Sequence, residues 1–317
     1  MAVKPDIEFK MGKATRDAFG AALREAGKTN ADIVVVDGDV NNSTRTEWFA
    51  QEFPERFINV GIAESNLVGI GAGLAACGKL PVIASFACFI MCNGYDQLRM
   101  SVAFPNLNVK VVGSHAGISI GEDGPSQMAI EDVALALGLP TFTVIVPADE
   151  PSTHKAVAAM LESVGPAYMR VGRPDVPVVY GDDPDFTLGK ANELRSGNDI
   201  TLIANGIMVS AALEAAHALA ADGVEARVLD MHTVRPLDVE AVMRAARETG
   251  KIVVAEEHLV QCGLGSVVAM AAAEHAPCAM AFVGVENTYA ESGDPAALLE
   301  KYGLTAQHIV AKAQSLL

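Results

Sequence analysis

Between residues 113 and 128 the chain reads GSHAGISIGEDGPSQM, in which a histidine, two carboxylates and a glutamine are spaced by glycines and a proline. Imidazole, carboxylate and amide groups on a glycine-rich backbone suit the hydrogen bonding of a polar ligand, because glycine lets the main chain turn and approach closely. The apolar run Val109–Val112 just before it reads as a buried strand, so the segment opens at a strand's carboxyl end. A second candidate is Glu64, in NVGIAESN, with Gly61, Ile62, Ala63, Leu67, Gly69, Gly71 and Gly73 around it. A carboxylate among small apolar neighbours at the start of a helix either answers the helix dipole or exchanges protons in a partly desolvated place. Arg16, in GKATRDAFG, Ser43, in DGDVNNST, and Arg173, in MRVGRPD, add two guanidiniums and a hydroxyl. Taken singly, His115 reads as well as a structural hydrogen-bonder, Arg16 as a solvated helix residue, and Phe86 and Phe89, at i and i+3, as core.

The elements that position these residues follow from hydrophobic periodicity. Short β-branched runs at 33–37, 80–84, 109–113, 143–146 and 168–171 alternate with helical patterns near 13–26, 62–77, 94–103, 128–137 and 151–163. Continuous apolar strands separated by helices indicate a parallel sheet covered on both faces. The segment VGRPDVPVVYGDDPDFTLGK, rich in Pro, Gly and Asp, has no helical period and reads as a linker. Beyond it a second series follows, with strands at 200–204, 227–230, 252–256 and 280–283 and helices near 207–222, 238–248, 264–275 and 305–316. The expected fold is α/β, with two domains in series, each a mostly parallel sheet flanked by helices: residues 1–172, a linker at 173–190, and residues 191–317. Ligands collect at the carboxyl ends of strands in such sheets, so the loops after Asp37, Asn59, Ser85 and Gly113 are expected to build one site in the first domain.

Composition narrows the function. A net charge of −16 without any run of Lys and Arg disfavours nucleic acid and anionic membranes as partners. The five cysteines lack C-x-x-C spacing, which argues for a reducing compartment and against a disulfide framework or a zinc site. The N-terminal residues carry no apolar signal core and no segment has the length of a membrane span. A cytoplasmic enzyme is the expectation.

GIAESN, SFACF, DGDVNNST and GSHAGISIGEDGPSQM, in their order along the chain, resemble the pyrimidine-binding and C-terminal domains of transketolase, from about Gly12 to the end. The resemblance implies thiamine diphosphate as cofactor, with Glu64 hydrogen-bonding the N1′ nitrogen of its aminopyrimidine and Phe86 and Phe89 packing on that ring. It implies that Glu64 and His115 are catalytic, and that His115, Asp123 and Gln127 contact the oxygens of a ketose. Arg16, Ser43 and Arg173 correspond to a set that grips the sugar phosphate. Transketolases hold the cofactor diphosphate through a metal, Mg2+ or Ca2+, bound by a GDG sequence and a later Asn in another domain. This chain contains no GDG. The resemblance therefore implies a separate N-terminal subunit carrying the diphosphate-binding domain and the metal ligands, and an α2β2 heterotetramer that transfers a two-carbon ketol unit from a ketose to an aldose. The stretch Cys92–Tyr95 departs from the family, which more usually has an arginine there. Two alternatives stay open: the beta subunit of a 2-oxoacid dehydrogenase, and a non-catalytic partner-binding subunit.

Overall fold

A computed structural model describes residues 7–317. The first sheet is built from β1 (Ile33–Asp37), β2 (Phe57–Asn59), β3 (Leu80–Phe86), β4 (Lys110–Ser114), β5 (Thr143–Ile145) and β6 (Ala167–Arg170). The second contains β7 (Asn192–Arg195), β8 (Ile200–Ala204) and β9 (Ala226–Asp230), and later β11 (Lys251–Leu259) and β12 (Ala279–Val285). Between β9 and β11 lies β10 (Thr233–Arg235), which joins the first sheet. Strand order is β10-β5-β6-β4-β3-β1-β2 in the seven-stranded sheet and β12-β11-β8-β9-β7 in the five-stranded one. All pairings are parallel except the edge pairs β10–β5 and β7–β9. The expected two mostly parallel sheets in series are present.

β1 and β4 are buried along their whole length, which is why valine and isoleucine fill β1 up to Asp37 and valines occupy the middle of β4. The helix Thr15–Thr29 packs with the helix Glu150–Glu162, while the helix Glu64–Ala76 packs against β3. Apolar contacts do not stop at the sheet boundary. One cluster joins Val36, Ile83 and Val144 of the first sheet to Ile203, Leu229 and Val254 of the second.

The structure adds what periodicity missed. β2, β7 and β10 are three or four residues long and carry polar side chains, so no alternation marks them. Residues 41–44 form a helical turn inside what reads as a loop, and helices also cover Glu47–Glu52, Ala87–Asn93 and Pro295–Lys301. The helix expected near 128–137 is confined to Asp132–Leu137. The carbonyls of Ala129 and Ile130 instead accept from Gly117 N and Leu259 N, both at 2.8 Å, which holds this stretch extended. Residues 173–190 carry no helix or strand, only a bridge from Pro177 to Met11. That strap is fixed at Asp149, whose carboxylate accepts from Val179 N and Tyr180 N, and at Asp230, which accepts from Tyr180 Oη at 2.6 Å.

Candidate active site

β4, β3, β1 and β2 are neighbours and run parallel, so their carboxyl ends lie side by side along one rim. The four loops expected to share a site all leave from it. Asp37, at the end of β1, organises the first. Its buried carboxylate accepts from Val40 N at 2.7 Å, Thr44 Oγ1 at 2.7 Å and Thr46 Oγ1 at 2.8 Å. Burial raises its pKa, and these three donors oppose that rise. The loop is thereby folded into the turn that presents Ser43 and Arg45.

Glu64 opens the helix that follows β2, at 6% exposure. It sits in the first turn, where the dipole favours a carboxylate, but it makes no capping bond to the backbone. Its one hydrogen bond among the described residues is from Ser85 Oγ at 3.5 Å, which leaves Oε2 without a protein partner. Phe86 and Phe89 stack with centroids 5.6 Å apart and planes 4° from parallel, both half-buried. A buried carboxylate with an unused oxygen beside a flat apolar platform fits an aminopyrimidine, which needs one polar partner at the ring edge and an apolar surface under its face.

The register of β3 and β4 sets Phe86 opposite Ser114, so the next residue, His115, meets the Phe86 ring. The two rings stack at 4.0 Å and 10°. His115 has φ of +59°, a left-handed conformation uncommon outside glycine, and is 3% exposed. Its Nδ1 lies 2.7 Å from Ser114 Oγ and its Nε2 2.9 Å from Arg16 Nη1. Burial, reinforced by the positive charges of Arg16, Arg173 and Arg45, pulls its pKa down to about 3. The imidazole is therefore neutral at physiological pH.

Arg16 also donates to the main-chain oxygen of Ser43 at 3.1 Å. Arg45, with φ of +67°, turns back to donate through Nε to Asp17 at 2.6 Å and through Nη1 to Asn42 O. Arg173 donates to Ile120 O at 3.1 Å and pairs with Asp123 at 3.4 Å. Burial and the charge of Arg45 lower the pKa of Arg16, with Arg173 adding to the effect. Three guanidiniums thus gather at one end of the rim, inside a chain of strongly negative net charge.

The segment after His115 is held from the other half of the molecule. Ile118, Ile120, Met128 and Ile130 are buried in one apolar cluster with Ile200, Leu202, Val253 and Val283 of the second sheet. Ser119 N donates to Glu257 Oε1 at 2.7 Å, and a Cβ on Gly117 (φ +83°) would fall 2.1 Å from that carboxylate. A Cβ on Gly121 would meet the Pro295 ring at 2.8 Å. Behind the segment, Arg170 is buried with Asp132, to which its Nε donates at 3.0 Å, and Glu257, 3.8 Å from Nη1. Tyr168 Oη donates to the same Asp132 oxygen at 2.6 Å.

Of the residues singled out from sequence, the structure brings Glu64, Phe86, Phe89, His115, Arg16 and Ser43 to one rim. Ser43 meets Arg16 through its carbonyl rather than its hydroxyl. Asp123 is exposed and engaged with Arg173, and among the described residues the side chain of Gln127 hydrogen-bonds only to Ser126 Oγ. The sequence reading missed Ser85, Ser114, Arg45 and Asp17 in the site and Arg170, Asp132 and Glu257 behind it. Asp37, seven and nine residues before Thr44 and Thr46, signals only that the loop after β1 is folded, not which of its side chains enter the site. Cys92 and Tyr95, at the departure from the family pattern, lie on the neighbouring helices, Cys92 exposed and Tyr95 half-buried. Among the described residues no cluster of three or more His, Cys, Asp or Glu is placed to hold a metal ion, and no helix is long and apolar enough to cross a membrane.

The family model for the transketolase pyrimidine-binding domain matches residues 11–178, and that for the transketolase C-terminal domain matches residues 189–309. Among curated relatives, the 6-deoxy-6-sulfo-D-fructose transketolase subunit SqwH of Clostridium sp. (strain MSTE9) is 42% identical over 94% of this chain and 92% of its own length. The putative transketolase C-terminal section of Methanocaldococcus jannaschii is 37% identical over 95% of each. Human transketolase is 38% identical over 98% of this chain, which spans half the length of that enzyme. Among solved structures, a split gene transketolase described as an inactive beta4 tetramer superposes with a TM-score of 0.91 at 47% identity, covering 96% of this chain and 99% of that one. With these matches covering it almost throughout, the chain belongs to the transketolase family, of which it carries the pyrimidine-binding and C-terminal domains.

Proposed function

We propose that this chain is the C-terminal subunit of a two-chain transketolase, supplying the pyrimidine side of a thiamine diphosphate site and the grip on an anionic sugar. The observation that carries the reading is the convergence at one rim of Glu64, the Phe86–Phe89 platform, His115 and three guanidiniums. When bound, thiamine diphosphate would supply a carbon nucleophile. The chain's own residues bind, orient and exchange protons around it. Glu64 would exchange a proton with N1′ of the aminopyrimidine, Phe86 and Phe89 would carry the ring, and neutral His115 would hydrogen-bond the donor ketose. Asp123, paired with Arg173, and Gln127 are assigned as further hydroxyl contacts, and Arg16, Ser43 and Arg173 as the hold on the terminal anion. The metal that anchors the diphosphate, Mg2+ or Ca2+, belongs on the N-terminal partner subunit.

The names of two relatives favour an anion on the sugar: one is a transketolase subunit for a 6-sulfo sugar, and another, from Phocaeicola vulgatus, is a transketolase subunit for apulose-4-phosphate. The solved relative described as an inactive beta4 tetramer fits a subunit that self-associates yet needs a partner for turnover. Here Ile62 is 82% exposed, and Ser65, Asn66, Gly69 and Gly73 form an open face of the adjoining helix, which supports close approach of another subunit. The assembly we assign is an α2β2 heterotetramer in the cytoplasm. Neither a 2-oxoacid dehydrogenase subunit nor a purely binding subunit accounts for the guanidinium set and the carboxylate together.

The test is reconstitution of this chain with a diphosphate-binding transketolase subunit, thiamine diphosphate and Mg2+, assayed with an anionic ketose and an aldose. Ketol transfer that needs both chains, and that drops by ~10²-fold or more in Glu64→Gln, supports the proposal. Full activity with Glu64→Gln, or transfer by this chain alone, refutes it.

A further inference from the structure

One concavity of the molecule is lined by none of the rim residues and opens where the two halves meet. It encloses about 410 Å3 between the strap at 174–177, the start of the helix Met208–Ala221 and the helix Pro295–Lys301. That is the volume of a small-molecule site, and joints between domains are where such sites collect. Its walls are mostly apolar. Val176 and Pro177 come from the strap, Met208 and Ala211 from the first of these helices, and Leu299 and Leu304 from near the C-terminus.

The charge in the cleft is one-sided. Its walls carry two acids, Asp175 and Glu214, and no lysine, arginine or histidine. Asp175 is already engaged, its Oδ1 accepting from Ala14 N at 3.0 Å. Glu214 is half-buried, has neither a hydrogen bond nor a cation among the described residues, and has its pKa raised by burial alone. Ser119, 2% exposed, adds a hydroxyl that lies near Glu257 yet completes no hydrogen bond among the described residues. A carboxylate without a counter-charge and a buried hydroxyl without a partner both lack what an ammonium brings, a positive charge and three N–H donors.

We propose that this cleft binds a small amphipathic amine, with its ammonium on Glu214 and its apolar body against Val176, Met208 and Leu299. The assignment does not depend on the transfer reaction. An occupant rests on Pro174 and Val176, on either side of Asp175, and Asp175 ties the strap to Ala14 at the start of the first helix. Binding therefore braces the strap at a point one residue from Arg173.

Titration calorimetry on the full chain with phenethylamine, 2-phenylethanol, 3-phenylpropionate and methylamine tests this. Phenethylamine should bind about tenfold more tightly than the alcohol, the gain of a charged over a neutral contact, and the acid and methylamine more weakly than either. Methylamine controls for the pull that a chain of net charge −16 exerts on any cation. Glu214→Gln should bring the amine down to the level of the alcohol. Ala296→Trp, which fills the cleft from an exposed position at its lip, should abolish the binding of both. With phenethylamine bound, hydrogen exchange should slow over 173–180 and 207–214 and stay unchanged over 38–46. Equal affinity for amine and alcohol overturns the proposal, as does amine binding that survives both substitutions or no detectable binding by the folded wild-type chain at millimolar amine. Every arm is read on the chain alone and needs no turnover, so failure here leaves the function proposed above untouched.

Discussion

Two loops frame the site, and they are braced in opposite ways. The loop after β1 is stabilised from within: Asp37 binds Val40, Thr44 and Thr46, all within nine residues of itself. The segment after β4 is stabilised from without. Its Ser119 N–H ends on Glu257, its Ile130 carbonyl on Leu259, and its isoleucines in the core of the second sheet. The first arrangement folds the turn of Ser43 and Arg45 on a carboxylate of its own segment, with Arg16 and Asp17 of the first helix joining from outside. The second makes the segment after His115 a joint product of both halves, which gives the C-terminal domain a role in shaping that rim.

The sharpest way to break this contrast is at Arg170. Arg170→Met removes the cation shared by Asp132 and Glu257 and leaves two buried carboxylates uncompensated, so a loss of about 3–5 kcal/mol in stability is expected. Hydrogen exchange should rise across residues 115–131 and leave 38–46 protected. Equal exposure of both loops would mean that they share one support. Asp37→Asn should give the mirror image at lower cost, about 1–3 kcal/mol by denaturant titration, with exchange rising at 38–46.

A milder test uses pH. Asp230, which anchors the strap through Tyr180, has its pKa raised to about 7, first by burial. The folded state binds that proton more tightly than the unfolded chain does. Its contribution is therefore full at acid pH and is lost as pH rises from the ordinary carboxylate range through about 7. Asp230→Asn should flatten the fall in melting temperature across neutral pH while leaving exchange in both loops unchanged. The smallest expected effect is the coupling between Asp37→Asn and Glu257→Gln. Independent loops require additivity within about 0.5 kcal/mol in a double-mutant cycle, and a stronger coupling would merge the two supports into one.

The same contrast governs how much could be read from the chain alone. β1, β3, β4, β8 and β11 each hold a buried stretch of Val, Ile, Leu or Ala, and such stretches declare themselves. Glu64 stood out because a carboxylate among glycines and alanines needs a reason. Arg45 did not: an arginine after NNST looks like surface, and only the reversal of the backbone at φ +67° brings it to Asp17. Glu257 was out of reach for a different cause. It lies 138 residues from the amide that it accepts from, and nothing local distinguishes it from the neighbouring Glu256, which accepts instead from the helix start at Leu264 and Gly265. β10 gave no signal because three residues cannot show a period.

That short strand has a bearing on how the chain is made. Thr233 and Arg235 pair with Ile145 and Val144, so the outer edge of the first sheet is capped by residues synthesised nearly ninety positions later. Until they emerge from the ribosome, β5 offers a bare row of amides and carbonyls to any passing strand. Such late, long-range closure is slow. A fragment ending before β8 would carry every rim residue of the site and still expose that edge, so it should collect in inclusion bodies where the full chain stays in solution.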